Sequence, residues 1–283
     1  MAILKSITEK WSAVVELTAQ EMSIAGRITS GLYQADADNA KVIHAVSVSA
    51  PTISDYVPGT PITYADLTDT ELQIDMDQKK MYNFKIEDID KAQSLPDFEN
   101  PALIEAGRGM ALEADKYVFS LYAGAGCRLD DSTYAGVATD AYVVTASNID
   151  TVIGDTMVLM DKKNVGPERN LVVSPAVFKL IVDDARATLT SNEDVFSTGF
   201  IANYYGFSVY KSNQLATSAG GVDELVGTHC IALSNRALPF ALSVAESENM
   251  RLESAFATAH RGLTVFGAGI KWEDEIVDLF LRV

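Results

Sequence analysis

The sequence is poor in basic residues and has no long apolar run. It contains 22 Lys and Arg residues against 39 Asp and Glu residues, which gives a formal net charge of −17 at pH 7. Such an excess of negative charge opposes binding to DNA, RNA or anionic lipids, although it also serves solubility. No stretch approaches the roughly 18 consecutive apolar residues of a transmembrane helix. The N-terminus lacks an apolar core followed by a cleavage site of small residues, so neither a membrane span nor a secretory signal is predicted.

Cysteine and histidine are scarce as well. Cys127 and Cys230 lie far apart and form no C-x-x-C motif, so we expect free thiols in a reducing cytoplasm rather than a metal site. His44, His229 and His260 have no ligand spacing and are expected to be surface or packing residues. The sequence contains no G-x-S-x-G, H-E-x-x-H or Walker A motif. It therefore predicts no catalytic residue, no cofactor and no metal.

The composition is that of an ordinary globular protein, with 48% apolar and 22% charged residues among 283. This length permits one large domain or two smaller ones. Two early segments have the period of strands. Leu72, Ile74 and Met76 fall on one face and the polar residues between them on the other. A second alternating strand is predicted from Val42, His44, Val46 and Val48. Prolines between the two segments predict a long irregular tip. Because an isolated two-stranded ribbon is marginal in water, we expect this arm to be ordered by contacts outside itself.

The pattern changes after Lys79 and Lys80. Met81, Phe84 and Ile86 form a semi-exposed apolar run that ends in acidic residues. We interpret residues 79–90 as a charged amphipathic segment whose apolar face needs a neighbour to cover it. Nothing in it is typical of a catalytic loop.

A long helix is predicted to follow. Asn100 can cap it and Pro101 is tolerated in its first turn. Its continuous face, about six turns long, is made by Leu103, Gly107, Met110, Ala114, Tyr117 and Leu121. The Gly-Ala-Gly sequences at 124–126 and 267–269 lack the context of a dinucleotide site. We interpret the first as a helix end and the second as a close-packed strand.

The second half alternates between helix and strand signals. Asn148 can cap a helix, residues 171–173 read as a short buried strand, a helix restarts at Ser174 and Pro175, and residues 207–211 return to strand. Residues 218–221 predict an exposed turn. The apolar C-terminus is expected to be built into a sheet that completes the domain of the long helix.

The chain resembles the major capsid proteins of tailed bacteriophages, which share the Hong Kong 97-like coat fold. The resemblance rests on the run from Phe84 to Ser94, on Leu171 to Pro175 followed by an apolar helix, on Gly206 to Asn213, and on the closing stretch from Gly262 to Val283. It covers roughly residues 40–283, and the order and spacing of these motifs carry it.

The resemblance implies an α+β fold in five parts. These are an N-terminal arm (1–40), an extended β-hairpin loop (41–95), a long spine helix that begins the peripheral domain (96–146), an axial domain (147–232) and C-terminal strands that complete the peripheral domain (233–283). For residues 1–40 an alternative stays open, a helix packed on its own domain. Unlike family members that carry a scaffolding extension, this chain begins only about 40 residues before the extended loop. We expect either a separate scaffolding protein or a matured form of the chain, and Met1 favours the former.

The function that the resemblance implies is a coat protein without catalytic activity. It would assemble as pentamers and hexamers into an icosahedral shell around double-stranded DNA, without specific DNA binding, in the host bacterial cytoplasm. A scaffolding protein, a portal and a decoration protein would be its partners. The candidate inter-subunit contact residues are Trp11, Leu72, Ile74, Met76, Lys79, Lys80 and Phe84. Two alternatives remain, an encapsulin-like nanocompartment shell and an α/β enzyme that acts on small molecules with carboxylates.

Overall fold

The computed structural model describes residues 23–36, 41–48, 69–88, 99–134, 140–183, 203–219, 226–252 and 255–283, together with Ile53, Asp55, Tyr64 and Gly136. The helices are α1 (Ala25–Ile28), α2 (Glu99–Ser120), α3 (Asp131–Tyr134), α4 (Ile149–Lys162) and α5 (Pro175–Asp183). The strands are β1 (Val42–Val48), β2 (Asp69–Asp75), β3 (Gln78–Glu87), β4 (Cys127–Leu129), β5 (Tyr142–Val143), β6 (Arg169–Val173), β7 (Phe207–Lys211), β8 (Thr217–Ala219), β9 (Val226–Ser234), β10 (Phe240–Arg251), β11 (Ala257–Ala268) and β12 (Ile276–Arg282). Short 3₁₀ helices cover Gly31–Asp36, Leu121–Gly124 and Glu273–Glu275.

The largest sheet has seven strands and holds most of the core. Its order is β4-β12-β9-β6-β7, with β5 paired to β12 and β8 paired to β9. The strands β6 and β7 are parallel, whereas β9 runs antiparallel to both β6 and β12. The buried side chains of α4 and α5 belong to the same apolar cluster as these strands. The buried strand predicted at 171–173 and the strand predicted at 207–211 are confirmed as β6 and β7.

A second sheet of three strands, in the order β10-β11-β3, packs against α2. This helix has 22 residues, and Leu103, Met110 and Ala114 on its predicted apolar face are buried. Tyr82 of β3 packs with Leu103 and Met110, and Phe266 of β11 meets Tyr117 edge to face at 5.7 Å. The helix begins at Glu99, so Asn100 lies inside its first turn rather than before it. Whether α2 is the spine of a shell subunit stays a prediction here.

The early strands pair as predicted, but the buried face of β1 is that of Ile43 and Ala45, while His44 of the predicted alternating set is exposed. Strands β1 and β2 form an antiparallel two-stranded sheet, hereafter the hairpin, with Val42 opposite Asp75 and Val48 opposite Asp69. The alternation of β2 is confirmed, because Ile74 and Met76 are buried while the residues between them are exposed. Of the residues between β1 and β2, the structure describes Ile53, Asp55 and Tyr64. The remainder of the predicted irregular tip, and Trp11, lie outside the described residues.

Two expectations about individual segments are wrong. Residues 78–87 are one regular strand rather than a segment with a new period, so Met81 lies on the face opposite Tyr82 and Phe84. Ser218 and Ala219 lie in β8, paired with β9, rather than in an exposed turn. The small and polar residues at 218–221 predicted the turn. The pairing of Ser218 and Ala219 depends instead on β9, which the local sequence does not indicate.

As predicted, the C-terminus is built into a sheet, where β12 pairs with β9 in the seven-stranded sheet. That this completes the domain of the long helix stays a prediction. All residues from Ile276 to Leu281 are buried, and burial of both faces requires a strand inside a sheet that is covered on both sides. The seven-stranded sheet offers that position because β4, β5 and β9 all pair with β12.

Two smaller points complete the fold. Both cysteines are free thiols, as expected, and burial raises the pKa of the Cys230 thiol to about 12, so it stays protonated at neutral pH. Among the helices in the described part of the chain, none is long and apolar enough to cross a membrane.

We expect Met110→Asp to destabilise the subunit by about 3–5 kcal/mol, because it places an unpaired charge against Tyr82 and Leu103. Leu112→Asp is the matched control, since Leu112 is two residues away on the same helix but 40% exposed. Urea unfolding followed by circular dichroism measures both variants. Equal stability of the two would contradict the packing of α2 described here.

Candidate functional site

The apolar face of the hairpin is covered by the chain itself. Ile43 and Ala45 of β1 and Ile74 of β2 form a buried cluster with Met76 and with Ala241 of β10. The Met76 N–H donates a hydrogen bond of 3.0 Å to the Lys41 carbonyl. The hairpin is therefore fastened at its base onto one face of the three-stranded sheet. That β2 contacts another subunit stays a prediction. Because Ile74 and Met76 are buried, they would support such a contact from inside the subunit without touching the neighbouring copy.

Gly267 allows this close approach, whereas a side chain at Gly269 would make ordinary contacts. A Cβ at Gly267 would collide with the backbone carbonyl oxygen of Asp75, and a Cβ at Gly269 would lie 3.5 Å from side-chain atoms of Ile74 and Leu72. The backbones of β2 and β11 thus come together where a side chain would hold them apart. The prediction of a close-packed strand is confirmed for Gly267 and Ala268, and Gly269 follows the end of β11.

The strand β3 carries the remaining candidate residues and divides them between two faces. On the face toward α2, Lys80 Nζ lies 2.8 Å from Glu113 Oε2, and the half-buried Phe84 stacks on His260 with ring centroids 4.8 Å apart. The hydroxyls of Tyr82 and Ser247 are 3.0 Å apart. Lys80 and Phe84 are therefore engaged within the subunit.

The opposite face of β3 is open beyond the hairpin, and we call this area the outer patch. Met81 is 74% exposed and stands directly opposite Leu263 of β11, which is 37% exposed. Arg261 Nε donates to Glu248 Oε2 at 2.9 Å beside them. The outer patch, which comprises Lys79, Met81, Asn83, Glu248, Arg261 and Leu263, borders a cavity of about 320 Å³.

The sequence predicts Lys79 as a contact residue and assigns Met81 to a semi-exposed apolar run together with Phe84. In the structure Met81 lies on the face of Lys79 and not on that of Phe84, as strict alternation from Gln78 to Glu87 requires. Leu72 is half-buried beside the hairpin cluster. The structure therefore brings Lys79 and Met81 together and separates them from Lys80 and Phe84.

A second polar arrangement was not foreseen. His229 is buried, as expected of a packing residue. Its Nδ1 lies 3.0 Å from both carboxylate oxygens of Asp278, and its Nε2 lies 2.8 Å from Ser218 Oγ. Because Nδ1–H donates to the carboxylate, Nε2 accepts the serine hydroxyl. The residues come from β8, β9 and β12; Ser218 and His229 are 11 positions apart, whereas Asp278 lies 49 positions beyond His229. No local motif could have indicated the arrangement.

This Ser–His–Asp chain has the order found in serine nucleophiles, but its surroundings are those of a structural contact. Both faces of the imidazole are covered, by Tyr122 at 3.8 Å and by Phe280 at 4.3 Å between ring centroids. None of the three polar residues lines the cavities beside Met81, Trp272 or Asn164. The chain satisfies buried polar groups and joins three strands.

Comparison with protein families assigns residues 69–272 to a family described as phage capsid protein. The chain belongs to this family. No curated protein matches it. The capsid protein has the mixed helix and sheet fold of Hong Kong 97-like shells, forms the phage shell and is located in the virion capsid. Membership of this family argues against the alternative of an enzyme.

Solved structures agree with the fold. A chain of Mycobacterium phage Che8 is similar with a TM-score of 0.68 and 22% identity, covering 90% of each chain. The capsid of cyanophage P-SCSP1u is similar with a TM-score of 0.65 and 17% identity, covering 87% of this chain and 84% of that one. The virus-like particle from Pyrococcus furiosus is similar with a TM-score of 0.54 and 12% identity, covering 96% and 99%.

We expect Gly267→Ala to destabilise the capsid protein by about 1–3 kcal/mol, because the new methyl group forces β11 and Asp75 apart. Gly109→Ala is the control: nothing lies within 4 Å of a Cβ there, and alanine should stabilise the exposed helix position by about 0.5–1 kcal/mol. Chemical unfolding gives both values. If both substitutions stabilised the protein, the contact at the hairpin base would be refuted.

His229→Ala should cost about 3–4 kcal/mol of stability at pH 7, because it leaves the buried Asp278 carboxylate without its histidine partner. His44→Ala is the comparison, since His44 also pairs with a carboxylate, that of Glu71, but at the surface. Its effect should stay within about 0.5 kcal/mol. Thermal unfolding of the two variants in one buffer tests the difference.

Proposed function

We propose that the capsid protein closes its shell through contacts that the hairpin and the outer patch make with neighbouring copies. The observation that carries the proposal is the exposure of large apolar side chains in these two regions. Ile53 and Tyr64, which lie between the hairpin strands in the sequence, are 94% and 88% exposed, and Met81 is 74% exposed. Exposed apolar groups of this size favour a partner surface, here a second copy of the chain.

The hairpin base supplies the rigidity that such a contact requires. A two-stranded ribbon is marginal alone, but this one is fixed at Gly267 and through the cluster of Ile74, Met76 and Ala241. The residues between β1 and β2 would therefore meet a neighbouring copy from a rigid base. Trp11, Leu72 and Lys79 remain candidate contact residues, whereas Lys80 and Phe84 act by holding β3 on α2.

Assembly would follow closed symmetry. Rings of five and six copies, joined by many modest interfaces, build an icosahedral shell without any single strong contact. The net charge of −17 would keep packaged double-stranded DNA from adhering to the shell, so the DNA is enclosed without specific binding. A scaffolding protein, a portal and a decoration protein are the proposed partners, and the host bacterial cytoplasm is the proposed place of assembly.

The test is sedimentation velocity of three variants beside the unchanged protein, all under conditions in which the latter forms shells. The double variant Ile53→Ser/Tyr64→Ser changes the hairpin, and Met81→Glu changes the outer patch. Leu32→Ser is the control, because Leu32 is 81% exposed but belongs to neither region. We expect the first two to lose shells at least about tenfold, with unchanged circular dichroism, and the control to assemble normally.

The outcomes separate the two regions. Shells formed by the hairpin variant would remove the hairpin from the contact, and shells formed by Met81→Glu would remove the outer patch. Loss of shells in Leu32→Ser as well would mean that apolar exposure in general, rather than these two regions, drives assembly.

A further inference from the structure

The side chain of Asp115 is almost fully buried in the middle of α2, with 1% exposed. It accepts three hydrogen bonds from a segment about ninety residues earlier: from Ser23 Oγ at 2.7 Å, from the Ala25 N–H at 2.9 Å and from the Ile24 N–H at 3.2 Å. All three donors are uncharged. A buried carboxylate held only by neutral donors is costly, which indicates that the contact has a purpose beyond packing.

The segment bound by Asp115, residues 23–34, runs across the junction of the two larger sheets, and we call it the strap. Asn170 of β6 donates to the Ile28 carbonyl at 3.4 Å, which ties the strap to the seven-stranded sheet. The Ser30 N–H donates to the Leu238 carbonyl at 3.1 Å in the connection between β9 and β10.

The far end of the strap is fixed to the three-stranded sheet. The Leu242 N–H of β10 donates to Gln34 Oε1 at 3.0 Å, and Gln34 Nε2 donates back to the Leu242 carbonyl. The strap thus contacts α2, the seven-stranded sheet and the three-stranded sheet in succession. It adds to the apolar packing in which Phe240 and Phe266 of the three-stranded sheet share one buried cluster with the seven-stranded sheet.

We propose that Asp115 is the latch of a detachable strap, and that the protonation state of its carboxyl group sets how firmly residues 23–34 hold the two sheets together. This inference concerns the subunit itself and does not depend on the inter-subunit contacts proposed above.

The direction of the pH dependence follows from burial. Desolvation raises the pKa of the Asp115 carboxyl, and the hydrogen bonds from Ala25, Ser23 and Ile24 only partly oppose it. When the strap detaches, the carboxyl reaches water and its pKa returns toward the ordinary value. The attached state therefore binds the proton more tightly, and its advantage is complete below the ordinary pKa of aspartate, about 3.9. It is lost as the pH rises through the raised pKa.

Other charged groups on the packed elements face elsewhere. On α2, Glu113 binds Lys80, and Lys116 is exposed. On the strap, Arg27 is exposed, and on β11, which packs against α2, His260 stacks on Phe84. The pH dependence of the strap is thus assigned to Asp115.

Proteolysis tests the latch on the full-length, unassembled chain. Ile28 is fully buried while Arg27 is exposed, so trypsin can cut the bond between them only after the strap detaches. The rate at which a new N-terminus appears at Ile28 is followed by mass spectrometry. We expect Asp115→Ala to raise this rate about tenfold or more. Glu113→Ala, which removes a half-exposed carboxylate two residues away on the same helix, should change it less than about twofold.

A milder variant guards against general unfolding. Ser23→Ala removes one of the three donors and should raise the cutting rate about threefold with unchanged circular dichroism. For the pH dependence, the cutting rate relative to that of an unstructured peptide of the same sequence is measured in steps from about pH 4.5 to about pH 8. This relative rate should rise with pH in the unchanged protein, because ionisation of Asp115 weakens the attached state. It should not rise in Asp115→Ala. Equal rates in the Asp115 and Glu113 variants would overturn the latch. If the relative cutting rate rose with pH in Asp115→Ala as much as in the unchanged protein, the proposed role of the Asp115 carboxyl group's protonation would be overturned.

Discussion

The placement of β11 is the constraint on which the rest of the molecule depends. This strand pairs with β10 along one edge and with β3 along the other, and it lies between α2 on one face and the hairpin on the opposite face. Two glycines make this sandwich possible. Gly267 admits the backbone of Asp75, and Gly262 admits the ring of Tyr82 on the helix side. A shift of β11 would therefore move the hairpin base, the outer patch and the helix contact together.

The seven-stranded sheet is stabilised in a different way, through buried polar contacts between distant strands. His229 joins Ser218 to Asp278, and Glu275 accepts hydrogen bonds from Ser234 at 2.6 Å and from Arg236. These contacts fix β12 against β9 at both ends of their pairing. A shell subunit that must make similar contacts in unequal surroundings benefits from such rigidity, because small shifts can then be taken up at its surface rather than in its core.

Some features could be predicted from the sequence because they depend on neighbouring residues. The alternation of Ile74 and Met76 predicted β2, and the spacing of Leu103, Met110 and Ala114 predicted the buried face of α2. The face of Met81 was also readable from strict alternation but was misinterpreted. The contacts of Asp115 with Ser23 and of His229 with Asp278 were not readable at all, since a buried polar residue gives no local sign of its partner.

The sequence by itself determined the charge of the molecule, the positions of most helices and strands, and its likeness to phage coat proteins, because periodicity and turn residues act over a few positions. The tertiary structure alone decided that β12 joins β9 and that the apolar face of the hairpin is covered by β10 and β11. A pattern reports that one face of a segment is buried. Which distant segment covers that face is settled by packing of the whole chain, where loop closure and the shapes of all side chains compete at once.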